Sequence, residues 1–248
     1  MYTVETILNR LLSRAPADMA EEWDNVGLMV GDRAAAVDSA LVCLDITPEV
    51  VDRAITEKVP LIVTHHPLIF HPLKTVEADS FVYHLILNRI AVISLHTNLD
   101  RAEGGVNDTL AALLGLEHVV IAPDGMCRIG TLPQSLSGEA FATQTAKQLH
   151  TTVRICSPSR EVRRVAICGG SGADLLLPLC GEVDALVTGE IRHHEWLAFK
   201  EAGVTAVEAG HHATEVCVTG TLADWLRADF PGLNVLVCKG EEPYEYIS

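Results

Sequence analysis

Three short clusters of histidine and acid carry the chemistry that this sequence can do. They are Thr64-His65-His66-Pro67, His96-Thr97-Asn98-Leu99-Asp100 and Gly210-His211-His212-Ala213-Thr214-Glu215. Each follows a short apolar run: Leu61-Ile62-Val63, Ala91-Val92-Ile93 and Ala206-Val207. Such runs read as buried strands, so each cluster is expected just beyond a strand's carboxyl end, where ligands and catalysis collect in open α/β sheets. Imidazole and carboxylate together suit Zn, Fe, Mn and related divalent metals.

The residue types leave several arrangements open. His65 and His66 are neighbours, and Pro67 disfavours a helical conformation at His66. Side chains of adjacent extended residues point to opposite faces. The two histidines therefore serve two metals a few ångströms apart, or one of them supports the other from behind. Two solvated loop histidines are the bland alternative. His211 and Glu215 are four apart and share a face if a helix starts near His211. The alternative is an acid placed favourably near a helix N-terminus. Asp100 is a candidate metal carboxylate with His96 as its support or as an acid/base group, against the plain reading of Asp100 as a turn former. His193 and His194, after Thr188-Gly189-Glu190, are candidate proton-transfer groups or a polar helix start. Gly169-Gly170-Ser171-Gly172 lacks the Gly-Lys-Ser/Thr ending of a phosphate loop and reads as a tight strand-to-helix turn. Within Glu22-Trp23-Asp24-Asn25, Trp23 is an anchor for the first helix, and Asp24 and Asn25 are candidates for a pocket wall. Three His/acid clusters at three strand ends are improbable as independent accidents.

The elements that must position these residues alternate between strand and helix. Thr3 caps a helix with Val4, Ile7, Leu8, Leu11 and Leu12 at helical spacing. Strand 40–44 leads to Thr47-Pro48-Glu49, a cap, a proline at the first helical position and an early acid. Strand 61–63, a helix after Ser80, strand 91–95 and helix 106–114 follow. The second half repeats the theme with strands 164–167, 185–187, 205–207 and 234–237 and helices between them. Ile62-Val63-Thr64-His65 aligns with Leu186-Val187-Thr188-Gly189, with the pair His65-His66 at the end of the first and His193-His194 shortly after the second. The pattern predicts an α/β fold of two similar, interlocked lobes with helix-covered, largely parallel sheets and the metal site between them. Residues 1–125 are expected to form the first lobe and 126–248 the second, with the C-terminal strand able to return to the first.

The chain has 248 residues, enough for two modest cores, and is 48% hydrophobic but only 5% aromatic. Its formal net charge of -15 argues against non-specific binding to nucleic acid or an anionic membrane. A bound metal can still reverse the local field for a nucleotide. Seven cysteines, widely spaced and without Cys-x-x-Cys, argue against a disulfide framework or a zinc ribbon. With no signal-like segment and no membrane-length apolar run, the expected compartment is the cytoplasm.

Taken together, the motifs resemble the Nif-three-like family, some of whose members are labelled GTP cyclohydrolase I type 2 homologues. The resemblance rests on Glu22 to Leu28, Thr64 to Pro67, His96 to Asp100, Gly104-Gly105-Val106-Asn107-Asp108, Thr188-Gly189-Glu190 with His193-His194, and Gly210-His211 with Glu215. It covers nearly the whole chain and matches the compact bacterial type. The resemblance implies two divalent metal ions per chain, Fe, Zn, Mn or similar, held by His65, His66, Asp100, His211 and Glu215, with Glu215 as the bridge. It also implies a homohexamer. The leading expectation is a dinuclear metal-dependent hydrolase of a small, nucleotide-like substrate, with GTP cyclohydrolase I type 2 activity as its specific form. His96, His193 and His194 are then the proton-moving residues. The alternatives are a metal-binding regulatory or interaction protein with little turnover, and a metallophosphoesterase.

Overall fold

The computed structural model describes residues 1–157 and 159–244. In chain order the elements are β1 (Tyr2–Thr3), α1 (Val4–Arg14), β2 (Gly27–Val30), β3 (Ala36–Val37), β4 (Ser39–Cys43), α2 (Pro48–Thr56), β5 (Leu61–Thr64), α3 (Phe81–Leu87), β6 (Ala91–Ser94), α4 (Thr97–Arg101) and α5 (Val106–Leu113). Then come β7 (Glu117–Ile121), β8 (Arg128–Ser137), α6 (Gly138–Leu149), β9 (Arg154–Cys156), β10 (Glu161–Cys168), α7 (Ala173–Leu176), β11 (Ala185–Thr188), α8 (His193–Ala202), β12 (Thr205–Glu208), α9 (His211–Glu215), α10 (Val218–Asp229) and β13 (Asn234–Cys238).

The chain divides into two compact units. The first comprises Met1–Glu103 and Val218–Glu241, the second Gly104–Cys217 and Glu242–Ser248. The boundary thus falls earlier than residue 125, and α10 with β13 belongs to the first unit. The reason is packing. Leu110, Ala111, Leu114 and Leu116 sit in the same core as Phe141, Val165 and Val187, and β7 pairs with β8. Residues 104–121 therefore cannot be separated from the second sheet.

The first unit is built on a five-stranded sheet in the order β13-β4-β5-β6-β2. Its first three pairings are parallel, and β2 runs antiparallel to β6 at the edge. Strands β4, β5 and β6 are buried throughout, as a sheet with both faces covered requires. Leu41, Cys43, Ile62 and Val92 pack against Val50, Val51 and Ala54 of α2 and Val82 and Leu85 of α3. Local signals place the helices: the Thr3 side chain accepts from Thr6 N, Thr47 from Val50 N and Ser80 from Tyr83 N.

Helices α1 and α10 are joined by charge. Asp229 accepts from Arg14 Nε and Arg10 Nη2 at 2.7 and 2.8 Å. These hydrogen bonds, Arg14's first, hold the Asp229 carboxyl well below its usual range. An acid depressed in the folded state adds stability that is full above its unfolded pKa of about 4, and that is lost as pH falls through the folded value. Asp229→Asn is therefore expected to cost about 1–2 kcal/mol at neutral pH, lowering the melting temperature by several degrees. The difference from wild type should shrink below pH 4. A pH-independent difference in thermal melts would remove this pairing from the stability account.

The second unit is built on a six-stranded sheet, β7-β8-β10-β11-β12-β9. Its centre, β10-β11-β12, is parallel, but β7, β8 and β9 join it antiparallel. The α/β class holds, with the parallel character confined to the strands that precede the chemistry-bearing loops. Alternation along the strands is strict. Val165, Ile167, Ala185, Val187 and Val207 face one core with α5 and α6. Ala166, Cys168, Leu186 and Ala206 face the other with α7 and α8. Two helices are shorter than their sequence patterns suggest. Pro178 follows α7, which ends as a 3-10 turn, and α9 stops at Glu215 before α10 begins at Val218.

Candidate metal centre

In the first unit, three histidines converge from two strand ends. His65 and His66 leave β5 with their backbone N–H groups bonded to the carbonyls of Cys43 and Leu44, so both are held in extended chain. His96 leaves β6 and opens α4. The imidazole centroids lie 4.9 Å (His65–His66), 5.2 Å (His65–His96) and 5.6 Å (His66–His96) apart. One ring nitrogen of each lies within 4.8 Å of those of the other two, a group able to hold a metal ion. The adjacent histidines are thus not splayed apart as extended neighbours are expected to be. The segment after His96 is the short helix α4, and it carries Asp100 back towards the cluster. Asp100 Oδ1 stands 3.7 Å from His65 Nε2.

The hydrogen bonds behind these rings fix which nitrogen faces the site. His65 Nδ1 donates to the Leu95 carbonyl at 2.9 Å. A carbonyl only accepts, so Nδ1 carries the proton and Nε2 presents a lone pair. His66 Nδ1 donates to Asp45 at 2.7 Å and His96 Nδ1 to Asp24 at 2.8 Å. Metal-binding histidines typically show this arrangement of an outer acceptor, a ring and an inward Nε2. Asp24 is tightly held. Burial pulls its carboxyl upward, but hydrogen bonds from His96 and Thr97 outweigh it, holding it at about 2. It also accepts from Thr97 N at 3.0 Å and from Thr97 Oγ1. The donor chemistry of this set fits a divalent transition metal.

In the second unit, α9 starts at His211 and places Glu215 on the same face, as the four-residue spacing predicts. His211 Nε2 and Glu215 Oε2 are 3.1 Å apart, and His211 Nδ1 lies 3.1 Å from Glu190 Oε1. Glu215 is buried. The loop Gly169-Gly170-Ser171-Gly172 is the tight turn after β10, and it packs directly on this pair. A Cβ on Gly170, whose φ is +59°, would run into Glu215 Oε1 and stand 3.2 Å from His211 Nε2. A Cβ on Gly189 would lie 2.7 Å from both the Gly170 carbonyl oxygen and His211 Cα. The glycines are there because the backbone comes this close.

His193 and His194 lie exposed in the first turn of α8. Glu195, which accepts from Arg192 N at 2.6 Å and Arg192 Nε at 2.8 Å, is the buried residue of that turn. Among the described residues, neither histidine joins a group able to hold a metal. Asp45 and the Leu95 carbonyl went unread in the sequence. An acid just after a strand that neighbours the His65 strand is the signal that points to Asp45.

A sequence profile of the Duf34/NIF3 (NGG1p interacting factor 3) family matches residues 2–243. The chain belongs to this family. A GTP cyclohydrolase 1 type 2 homolog of Streptomyces coelicolor is 36% identical over 234 residues, covering 87% of this chain and 82% of the relative. A GTP cyclohydrolase 1 type 2 homolog of Clostridium acetobutylicum is 30% identical over 227 residues, covering 86% and 85%. The crystal structure of a Staphylococcus aureus hypothetical protein, 27% identical, covers 99% of each chain with a TM-score of 0.91. The family assignment agrees with the motif resemblance. Among the described residues, no helix is long and apolar enough to cross a membrane.

Proposed function

We propose that this Duf34/NIF3 member is a dinuclear metal-dependent hydrolase of a small, nucleotide-like substrate. The observation that carries this reading is the gathering of three imidazoles, one ring nitrogen of each within 4.8 Å of those of the other two, with all three Nδ1 atoms bonded to outer acceptors. His65, His66 and Asp100 of the first unit and His211 and Glu215 of the second are the residues that would hold two divalent ions. The two sets are read together from the family resemblance alone. Bound there, the ions would supply Lewis acidity and lower the pKa of water.

The chain's own residues have distinct parts in this reading. His96, backed by the ionised Asp24, is basic at Nε2 and accepts a proton there. Glu215 would help to hold the ions and would offset their positive charge. His193 and His194 stand exposed at the start of α8 and serve as outer proton carriers. The name borne by the relatives, GTP cyclohydrolase 1 type 2 homolog, favours a purine nucleotide, and cyclohydrolase chemistry is the specific form proposed. Homohexameric assembly is proposed from the family resemblance.

The test is turnover of a nucleotide and phosphoester panel by wild type and Glu215→Gln, as purified and after chelation. Metal-dependent hydrolysis of a nucleotide is expected, and Glu215→Gln should lose it together with metal affinity. The melting temperature after chelation should match wild type, because the amide keeps the carboxylate's shape. Phosphoester cleavage alone would favour a metallophosphoesterase. No turnover with metal bound would favour the metal-binding regulatory role.

A further inference from the structure

Aromatic residues are scarce in this chain, and two of the most exposed stand beside the three histidines. Trp23 is 58% and Phe70 40% exposed. Their rings lie 5.7 Å apart at 42°. Each meets His96 edge-on, with centroids at 6.2 Å for Trp23 and 6.3 Å for Phe70. Trp23 therefore does not anchor the first helix from within the core. Exposed aromatic surface costs free energy unless something covers it in use.

The pair is held in place. Asn25 Nδ2 donates to the Ile69 carbonyl at 2.6 Å, tying the Trp23 segment to the loop that carries Phe70. Between them Asp24 orients His96. Three consecutive residues thus set a ring, orient a histidine and pin a second ring.

We infer that Trp23 and Phe70 form a stacking platform for the planar heteroaromatic ring of the substrate, beside the candidate metal centre. The inference rests on the proposed function and deepens it by naming the part of the substrate this surface takes. Aromatic faces stack on any base and favour no particular hydrogen-bond pattern. The charge of the neighbourhood selects the ring over the phosphate. Glu21 and Glu22 precede Trp23 and Asp24 follows it, and Glu21 is already paired with Arg101. A phosphate would meet repulsion here, whereas the cations expected at the histidines would attract it. Ring on the aromatics and anion towards the metals is the orientation that follows.

The experiment is guanosine binding by equilibrium dialysis, with ribose 5-phosphate as the probe that lacks a ring. It is run on metal-loaded wild type, Trp23→Ala and Trp23→Phe, with metal content and solution mass measured on the same samples. Guanosine should bind wild type. Trp23→Ala should weaken it roughly tenfold or more, and Trp23→Phe should restore it to within about threefold. Ribose 5-phosphate binding should be equal in all three proteins. Equal guanosine affinity in wild type and Trp23→Ala would overturn the platform, as would no guanosine binding by wild type. A fall in solution mass on Trp23→Ala would overturn it too, by making the rings a contact between subunits. Loss of metal from wild type would count against the dinuclear reading alone, so the two claims fail separately.

Discussion

Gly189→Ala is expected to destabilise the protein by roughly 1–3 kcal/mol and to disorganise the His211–Glu215 pair. The added Cβ would meet the Gly170 carbonyl oxygen and His211 Cα at 2.7 Å and Thr214 Oγ1 at 2.8 Å. Two of these are backbone atoms, so no rotamer change relieves the contact. Either α9 moves away or the loop after β10 does. Both carry hydrogen bonds that tie them together: Gly189 N and Glu190 N to the Gly170 carbonyl, and Gly170 N to Thr214 Oγ1. A melting temperature lower by several degrees and a loss of metal affinity should appear together. Gly170→Ala makes a useful contrast. Its Cβ meets the end of the Glu215 side chain, which can swing aside, so metal affinity should fall while stability changes mainly by the cost of a left-handed alanine, roughly 1–2 kcal/mol. Wild-type metal affinity in both variants would dissociate the glycine cradle from the site.

Asp24→Asn is expected to lower turnover 10- to 100-fold while both metals stay bound. Asp24 is held ionised, at about 2, by its hydrogen bonds with His96 and Thr97. An amide still accepts from Thr97, so α4 should keep its place. It cannot offer the His96 ring a negative charge, so Nε2 becomes a poorer base. Rate and metal content, measured on the same protein, separate two roles for His96. A lower rate at full metal content makes it the proton-moving residue. A fall in metal content makes it a ligand, which its grouping with His65 and His66 would also allow. No change in either would remove Asp24 from the site.

Much of this arrangement was legible in the sequence because it is local. Short apolar runs gave the strands, and Thr3, Thr47 and Ser80 marked the helix starts they cap. The spacing of His211 and Glu215 needed only one turn of helix to bring them to one face. What stayed illegible depends on contacts between distant residues. The tautomers are set by Leu95 for His65, Asp45 for His66 and Asp24 for His96, none of them sequence neighbours of the rings they orient. The Gly169–Gly172 turn was readable as a turn, but not as the surface against which Glu215 rests. The exposure of His193 and His194 at the start of α8 was equally illegible, because a histidine pair carries no mark of it. The buried Glu195 that caps the same turn settles which side faces inward. The unit boundary was misplaced because helix 106–113 has the pattern of the helices before it. Only its packing against Phe141 and Val187 reveals that it belongs to the second sheet.

Elemental analysis of protein purified without chelator tests the central claim most directly. The five residues proposed as ligands, of mixed nitrogen and oxygen type, exceed what one tetrahedral site uses. The account predicts two divalent metal ions per chain in wild type, with the content reduced in Glu215→Gln. Protein that takes up no divalent metal at any loading, while remaining folded, would contradict it.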